Sequence, residues 1–287
     1  MHNIIFIAFF FIITHSCFPQ RSFSDEISFA NYLINNDEYR DGIFILNALE
    51  KNSYSFNNSH KDSLNYLLGW AYYNLKSLDT SSMYLGKVGD SSVFLNKSKY
   101  YQAFNNIFMN KRDSANAILN NMPANRELEQ LRLFELAGIA LLERNYDRYK
   151  KISRNFDYTY YPIAHEQEEF DEYFVNLQQI KNKSPFLAGT MSAIIPGSGK
   201  WYAGYRGKAI ASFLQVSLLG VVAAENYVKA GPVSPQFIIF AGFFSIFYIG
   251  NIWGSVLSVQ IKRNELFRKV DHNIMLDLHI PLRRVFN

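Results

Sequence analysis

Apolar residues follow three different patterns along the 287-residue chain, and each predicts a different kind of element. Ile4–Ile13 is an unbroken apolar run, about half the length a helix needs to cross a bilayer. From residue 23 to about residue 180, apolar positions recur at helical spacing, and no proline falls between Gln20 and Met122. That pattern predicts amphipathic helices with one buried face. Further on come two longer runs, Ala209–Val228 and Gln236–Ser258, with Glu225 as their one charge. Each is long enough to span a hydrocarbon core of about 30 Å. Gly231, Pro232 and Pro235 lie between them and predict a tight turn.

The first run fits the apolar core of a secretory signal peptide over residues 1–20, with small Thr14 and Ser16 suited to cleavage after Ser16. Only His2 and the α-amino group supply positive charge ahead of it. Cys17 has two readings, a lipidated cysteine at a loose lipobox or a residue left beside the signal. An uncleaved anchor is a third reading of the segment.

The middle region repeats itself. Asp79, Asp113 and Asp147 are evenly spaced, and Gly69, Ala103 and Ala137 repeat the same interval. Leu68-Gly69-Trp70-Ala71-Tyr72, followed by Ser81 and Leu85, resembles the tetratricopeptide pattern. The period of that family, about 34 residues, matches the interval. An earlier copy, set back by slightly more than one period, places Ala30 and Gly42 at the small positions, and the polar stretch Asn52–His60 absorbs the excess. The third copy keeps Ala103 and Ala115 but carries Gln102 and Asn106 where Leu and Tyr are expected. The fourth keeps Ala137 and puts Tyr149 at a small position. Glu166–Ile180 reads as a terminal cap, with Phe170, Tyr173, Phe174, Leu177 and Ile180 on one face and Glu166, Glu168, Glu169, Asp171 and Glu172 enriching its first half, where the macrodipole favours carboxylates.

The resemblance implies stacked helical hairpins that bind proteins on a concave surface. Repeat packing then falls to Ala30, Gly42, Gly69, Tyr72, Ser81, Ala103, Ala115 and Ala137. Tyr32, Tyr66, Tyr73, Tyr100 and Tyr101 either line such a surface or pack between repeats, and packing is the preferred reading. Lys97, Lys99, Lys111 and Arg112 read as a solvated helix face.

Ahead of the long apolar runs stands the string Pro196-Gly197-Ser198-Gly199-Lys200-Trp201-Tyr202-Ala203-Gly204. It resembles the Pro-Gly-x-Gly-x-x-Tyr-x-Gly signature at the head of small two-helix bacterial membrane modules, including the TM2-like and DUF5683-type families. Lys200 stands where Gln is common. The resemblance implies architecture and not mechanism. A P-loop is excluded, because Ile194 stands where its first glycine belongs and Trp201 where it needs Ser or Thr. The motif is expected to turn sharply at the membrane surface, with Trp201 and Tyr202 among headgroups and Lys200, Arg206 and Lys208 at lipid phosphates. Gly250-x-x-x-Gly254 has the spacing for close helix contact. The remainder is expected to form a short helix holding Lys262, Arg263, Arg268 and Lys269, then a surface-lying basic tail ending at Arg283-Arg284.

Charge and composition remove several functions. With 29 basic and 25 acidic side chains the net charge of +4 gives no case for nucleic acid. One cysteine excludes a disulfide framework, a cysteine-based zinc site and an iron–sulfur cluster. His165-Glu166-Gln167-Glu168-Glu169 lacks the second histidine of a zincin helix, and His272, Asp277 and His279 are the other metal-like grouping. No Gly-x-Ser-x-Gly elbow occurs. No catalytic, cofactor or metal residue and no small-molecule substrate is expected.

The signals for topology are divided. A signal peptide places the repeats outside the cytoplasm, whereas basic residues at both outer ends of the hairpin favour the inside. Counting residues 184–204 as a third span, or keeping the first run as an anchor, would reconcile the two. The sequence therefore predicts an all-α protein: signal peptide 1–20, tetratricopeptide-like solenoid 21–182, membrane module 184–261 with a transmembrane helical hairpin, basic tail 262–287. Its expected role is a non-enzymatic scaffold of the bacterial envelope, multi-pass in the inner membrane with periplasmic repeats, contacting protein partners and lipid. The alternative is a transporter accessory or lipid-interacting module regulated by the repeats.

Overall fold

The computed structural model describes residues 22–51 and 57–286; the signal-like run and Cys17 lie outside them. Among the described residues all regular structure is helical. In chain order the helices are α1 (Phe23–Asn35), α2 (Tyr39–Lys51), α3 (Asn58–Asn74), α4 (Leu78–Gly86), α5 (Leu95–Phe108), α6 (Arg112–Asn120), α7 (Glu129–Leu142), α8 (Tyr146–Ser153), α9 (Ala164–Lys181), α10 (Pro185–Ile194), α11 (Ser198–Tyr202), α12 (Arg206–Ala230) and α13 (Pro235–Phe286). The chain divides into two compact units, Met1–Arg126 with Phe286–Asn287, and Glu127–Val285.

The first unit holds three helix pairs, α1/α2, α3/α4 and α5/α6. Local chemistry sets their starts: Ser22 and Asp25 form a capping box ahead of α1, and Asn57 caps α3 by accepting from the His60 amide. Each pair closes through the same left-handed corner. The corner residues are Asp37, Lys76 and Asn110, and Arg144 repeats the corner between α7 and α8 in the second unit. From Lys76 to Asn110 and from Asn110 to Arg144 the interval is that of Gly69, Ala103 and Ala137; from Asp37 to Lys76 it is slightly longer. At each corner the next amide reaches back five positions, from Glu38, Ser77, Lys111 and Asn145 to the carbonyls of Leu33, Tyr72, Asn106 and Ala140 at 2.8–3.0 Å. These bonds satisfy carbonyls that a helix end otherwise leaves unpaired.

Small residues lie where paired helices meet. A Cβ on Gly42 would stand 2.8 Å from Ile34 Cγ1, and one on Gly69 2.7 Å from Leu85. Ala30, Ser81, Ala103, Ala115 and Ala137 are fully buried.

In the second unit α7 is deeply buried, with Leu131, Phe134, Ala137, Ile139 and Ala140 inaccessible. The C-terminal residues differ from the sequence expectation. α13 is one helix of 52 residues, and its second half is no surface-lying tail. Val270, Ile274, Leu278 and Leu282 recur at every fourth position and are buried, which is the stripe of a helix with one buried face. Leu278 packs against Gly138 of α7, where an added Cβ would come within 2.6 Å of it.

α12 and α13 are long and apolar enough to cross a membrane, and only 17% and 6% of their most apolar 18-residue stretches is buried within the chain. Their apolar side chains point outward: Leu214, Leu218, Val221, Ile246 and Trp253 are all more than half exposed. The helix of a soluble core would hide such a surface.

Candidate functional site

The Pro-Gly motif builds a buried corner between three helices. Pro196 follows the end of α10, since a proline nitrogen cannot continue the helical ladder. Gly197 turns the chain with φ +84°, and a Cβ there would lie 2.2 Å from the Ala209 carbonyl oxygen of α12. A Cβ on Gly199 would lie 1.9 Å from the Ala188 carbonyl oxygen of α10. Both obstacles are backbone, so neither position admits a side chain without moving a helix. Gly204, at φ +97°, follows α11 in open space.

Polar side chains of the apolar helices tie this corner down. The Gly197 amide donates to Asn251 Oδ1 at 3.1 Å, and the Gly199 amide to Ser192 Oγ at 2.8 Å. Ser192 Oγ also lies 2.7 Å from Ser255 Oγ, and Asn251 Nδ2 donates to the Ser192 carbonyl at 3.3 Å. Ser192, Asn251 and Ser255 are all buried, so the network satisfies donors that hydrocarbon or core would leave unpaired. Sequence reading missed all three. Their signal was present as polar residues four apart, Asn251 and Ser255, inside an uncharged run.

Lys200, expected at lipid phosphates, reaches α12, with Lys208 near enough for its charge to act on the ammonium. It is half-buried, and its Nζ donates to Ser212 Oγ of α12 at 2.5 Å. Its stem passes Gly254, whose added Cβ would lie 3.4 Å from Lys200 Cε. Gly254 thus faces a lysine, and Gly250 borders the same cavity of about 350 Å³. On the other side of the motif, Met191, Ile195, Trp201, Ile210 and Phe213 line an apolar groove of about 480 Å³. Trp201 is exposed, while the half-buried Tyr202 accepts from the Ser184 amide through its hydroxyl at 3.0 Å.

In the first unit Tyr66, Tyr73, Tyr100 and Tyr101 are buried, whereas Tyr32 is 63% exposed. Tyr72 is half-buried and stacks on Tyr84 at 5.7 Å. Gln102 and Asn106, the departures in the third copy, reach the preceding pair: Gln102 Nε2 donates to the Ser82 carbonyl at 3.2 Å and Asn106 Nδ2 to Ser82 Oγ at 2.8 Å. Asn105 Nδ2 donates to Ser81 Oγ at 2.9 Å, and Ser81 Oγ donates to the Gly69 carbonyl at 2.7 Å. Lys97 lies over the Trp70 ring at 4.3 Å, and Lys111 pairs with Asp79 at 2.6 Å.

The acidic start of α9 makes contacts with α13 that sequence reading did not identify. Glu166 is buried and pairs with Arg284 of α13 at 3.0 Å. Tyr173 OH lies 2.9 Å from Asp277 and 3.0 Å from Glu169. Burial pushes the Asp277 carboxyl up to about 6; Glu169 and Glu166 add to the rise and the Tyr173 hydroxyl opposes it. Arg144, the corner residue of α7/α8, pairs with Asp271 at 2.8 Å and covers the Phe267 ring at 4.5 Å. Among the described residues, Glu135 of α7 is fully buried with no hydrogen bond to either oxygen, and that burial holds its carboxyl well above the usual range.

His165 meets Glu169 at 3.6 Å and not a metal-ligand set. Among the described residues no group of three His, Cys, Asp or Glu is placed to hold a metal ion. Comparison of the chain with protein-family models, curated proteins and solved structures gives no match.

Proposed function

We propose that the protein is a non-enzymatic, membrane-anchored scaffold of the bacterial envelope, in which α12 and α13 cross the inner membrane and the helix pairs hold protein partners. One observation carries this reading: α13 runs without interruption from an outward-facing apolar half into a half packed on α7 and α9. The membrane hairpin is thereby joined to the α7/α8 pair by a continuous helix in place of a linker. The even corner spacing supports a tetratricopeptide-like stack.

The same contact constrains topology. Tyr173 precedes the hairpin and Asp277 follows it, and the two touch, so both lie on one side of any membrane the hairpin crosses. This supports an even number of crossings between them and speaks against residues 184–204 as a third span, since α10 is only about 15 Å long at 1.5 Å per residue. The signal-like residues favour the periplasmic side. A reporter fused after Asn182 and active only in the cytoplasm would overturn that side.

Partner surface is supplied by exposed Phe44, Met83 and Phe108 on successive pairs of the first unit. Photo-crosslinkers at these three positions in cells are expected to give discrete adducts that a crosslinker at exposed Asp147 does not. Identical patterns at all four positions would sink the scaffold reading. Lys200 favours a second reading, in which the membrane module itself binds lipid.

A further inference from the structure

A cation set between two apolar helices is a costly feature that calls for a counter-charge. Lys200 is such a group. It is carried on α11 into the cavity of about 350 Å³ between α12 and α13, lined also by Ser212, Gln215, Phe247, Gly250 and Asn251. The lining contains one positive charge, three neutral polar side chains and no carboxylate. Ser212, the hydrogen-bond partner of Nζ, is uncharged. It lies six positions into α12 from Arg206, about 9 Å along the helix, and Lys208, one turn before Ser212, acts on the ammonium as a second positive charge.

We infer that this cavity binds the phosphate of a phospholipid headgroup, with Lys200 as its counter-ion and Ser212 and Gln215 as neutral hydrogen-bonding partners. The volume exceeds a phosphate alone, and Val216, Ile246 and Phe247 form an apolar wall for the glycerol and first acyl carbons. Gln215 and Phe247 are exposed, which leaves the cavity open on the outward face of the hairpin. Gly250 and Gly254 provide the room: a Cβ on Gly250 would meet nothing within 4 Å, and the lysine stem lies on Gly254. Small-residue spacing in α13 therefore makes space for a charge and its ligand.

The inference rests on the reading of α12 and α13 as membrane-crossing, so flotation of the full chain with liposomes is the first measurement. Native mass spectrometry of the detergent-solubilised full chain then compares phosphatidylglycerol, diacylglycerol with the same acyl chains, and soluble glycerol 3-phosphate. The wild type is expected to retain phosphatidylglycerol and to release diacylglycerol. Lys200→Met removes the charge and keeps the stem. Gly250→Leu fills the cavity from a position with open space, and so tests the site even where the lysine variant folds poorly. Each is expected to lower phosphatidylglycerol occupancy about tenfold, while Lys229→Gln, near the end of α12, leaves it unchanged. Retention unaffected by either variant, or equal retention of diacylglycerol, overturns the site. Equal retention of glycerol 3-phosphate assigns it to soluble phosphate esters and overturns the lipid source. Failure of the wild type to float refutes the membrane reading; flotation with lipid retention unaltered by the variants refutes the pocket alone.

Discussion

The helix pairs of the first unit and the module formed by α10–α13 distribute polarity in opposite ways. In the pairs, Leu, Ala and Tyr are buried at helical spacing and most charged side chains face out, with Asp62 buried where it accepts from the Gly89 amide. In the module, up to the apolar half of α13, Ser192, Asn251 and Ser255 are buried while large apolar residues such as Leu214, Leu218, Ile246 and Trp253 face out. A chain folding in water hides apolar area, at roughly 25 cal/mol per Å²; a chain folding in hydrocarbon gains little from that and must instead pair its polar groups. The same helical backbone thus carries two opposite distributions of polarity, the second being the one hydrocarbon would favour. The turns differ accordingly. The pairs use left-handed corners that Asp, Lys, Asn and Arg occupy, whereas the module needs glycine, because at Gly197 and Gly199 another helix's backbone fills the place of a side chain.

Gly199→Ala should upset this contrast most. Its methyl would fall 1.9 Å from the Ala188 carbonyl oxygen, and no rotamer relieves a clash with backbone. Destabilisation of about 4 kcal/mol or more is expected, read as loss of a monodisperse peak and of cooperative melting in detergent. An unchanged melting curve would show that α10 and α11 are not packed as described.

Next comes the helix that joins the two modes. Leu278→Ala is expected to cost about 2–5 kcal/mol, because Leu278 is fully buried against Gly138. Gly138→Ala, alone destabilising, should be partly rescued by Leu278→Ala in a double-mutant cycle. Additive effects would refute the contact.

Third is a pH effect in the water-facing half. Glu135 and Asp277 both have carboxyls raised by burial, so the folded state binds more protons than the unfolded. Their contribution is fully present below their unfolded pKa values and is lost as pH rises through the folded ones, for Asp277 through about 6. The melting temperature of the full chain should therefore fall between pH 5 and pH 8. Glu135→Gln should flatten this fall and stabilise at pH 8 by about 1–3 kcal/mol, or about 2–8 °C. Destabilisation by Glu135→Gln at pH 8 would mean that the carboxylate is satisfied and charged.

The smallest effect is at the corners. Lys76 at φ +63° occupies a conformation that disfavours a Cβ, and Lys76→Gly should stabilise by about 0.5–1 kcal/mol. The same change at Arg144, whose side chain pairs with Asp271, should not stabilise. Equal gains at both positions would deny Arg144 its role at α13.

Much of this was legible along the chain. The interval shared by Gly69, Ala103 and Ala137 in the sequence is also the interval of the corners Lys76, Asn110 and Arg144. Uncharged runs marked the two long apolar helices, and Pro196 marked the break. The course of the chain beyond Lys262 was not legible, because Arg263, Arg268 and Arg283 are solvent-compatible whichever face is buried. Only the four-residue spacing from Val270 to Leu282 carried the buried stripe. The partner of Lys200 was not legible for a related reason: a lysine beside tryptophan and tyrosine is compatible with a membrane surface, and nothing local points to Ser212.

Sequence by itself determined the helical class, the spacing of the helix pairs, the two long apolar helices and the position of the break between α10 and α11. These follow from side-chain spacing, proline and composition, which act over short stretches of chain. Tertiary structure alone decided that α13 packs on α7 and α9, that Glu166 is held by Arg284, and that Ser192, Asn251 and Ser255 share one network. Those pairings join positions far apart in the chain. A helix offers several faces of similar polarity, and which one is buried depends on what distant element arrives to cover it.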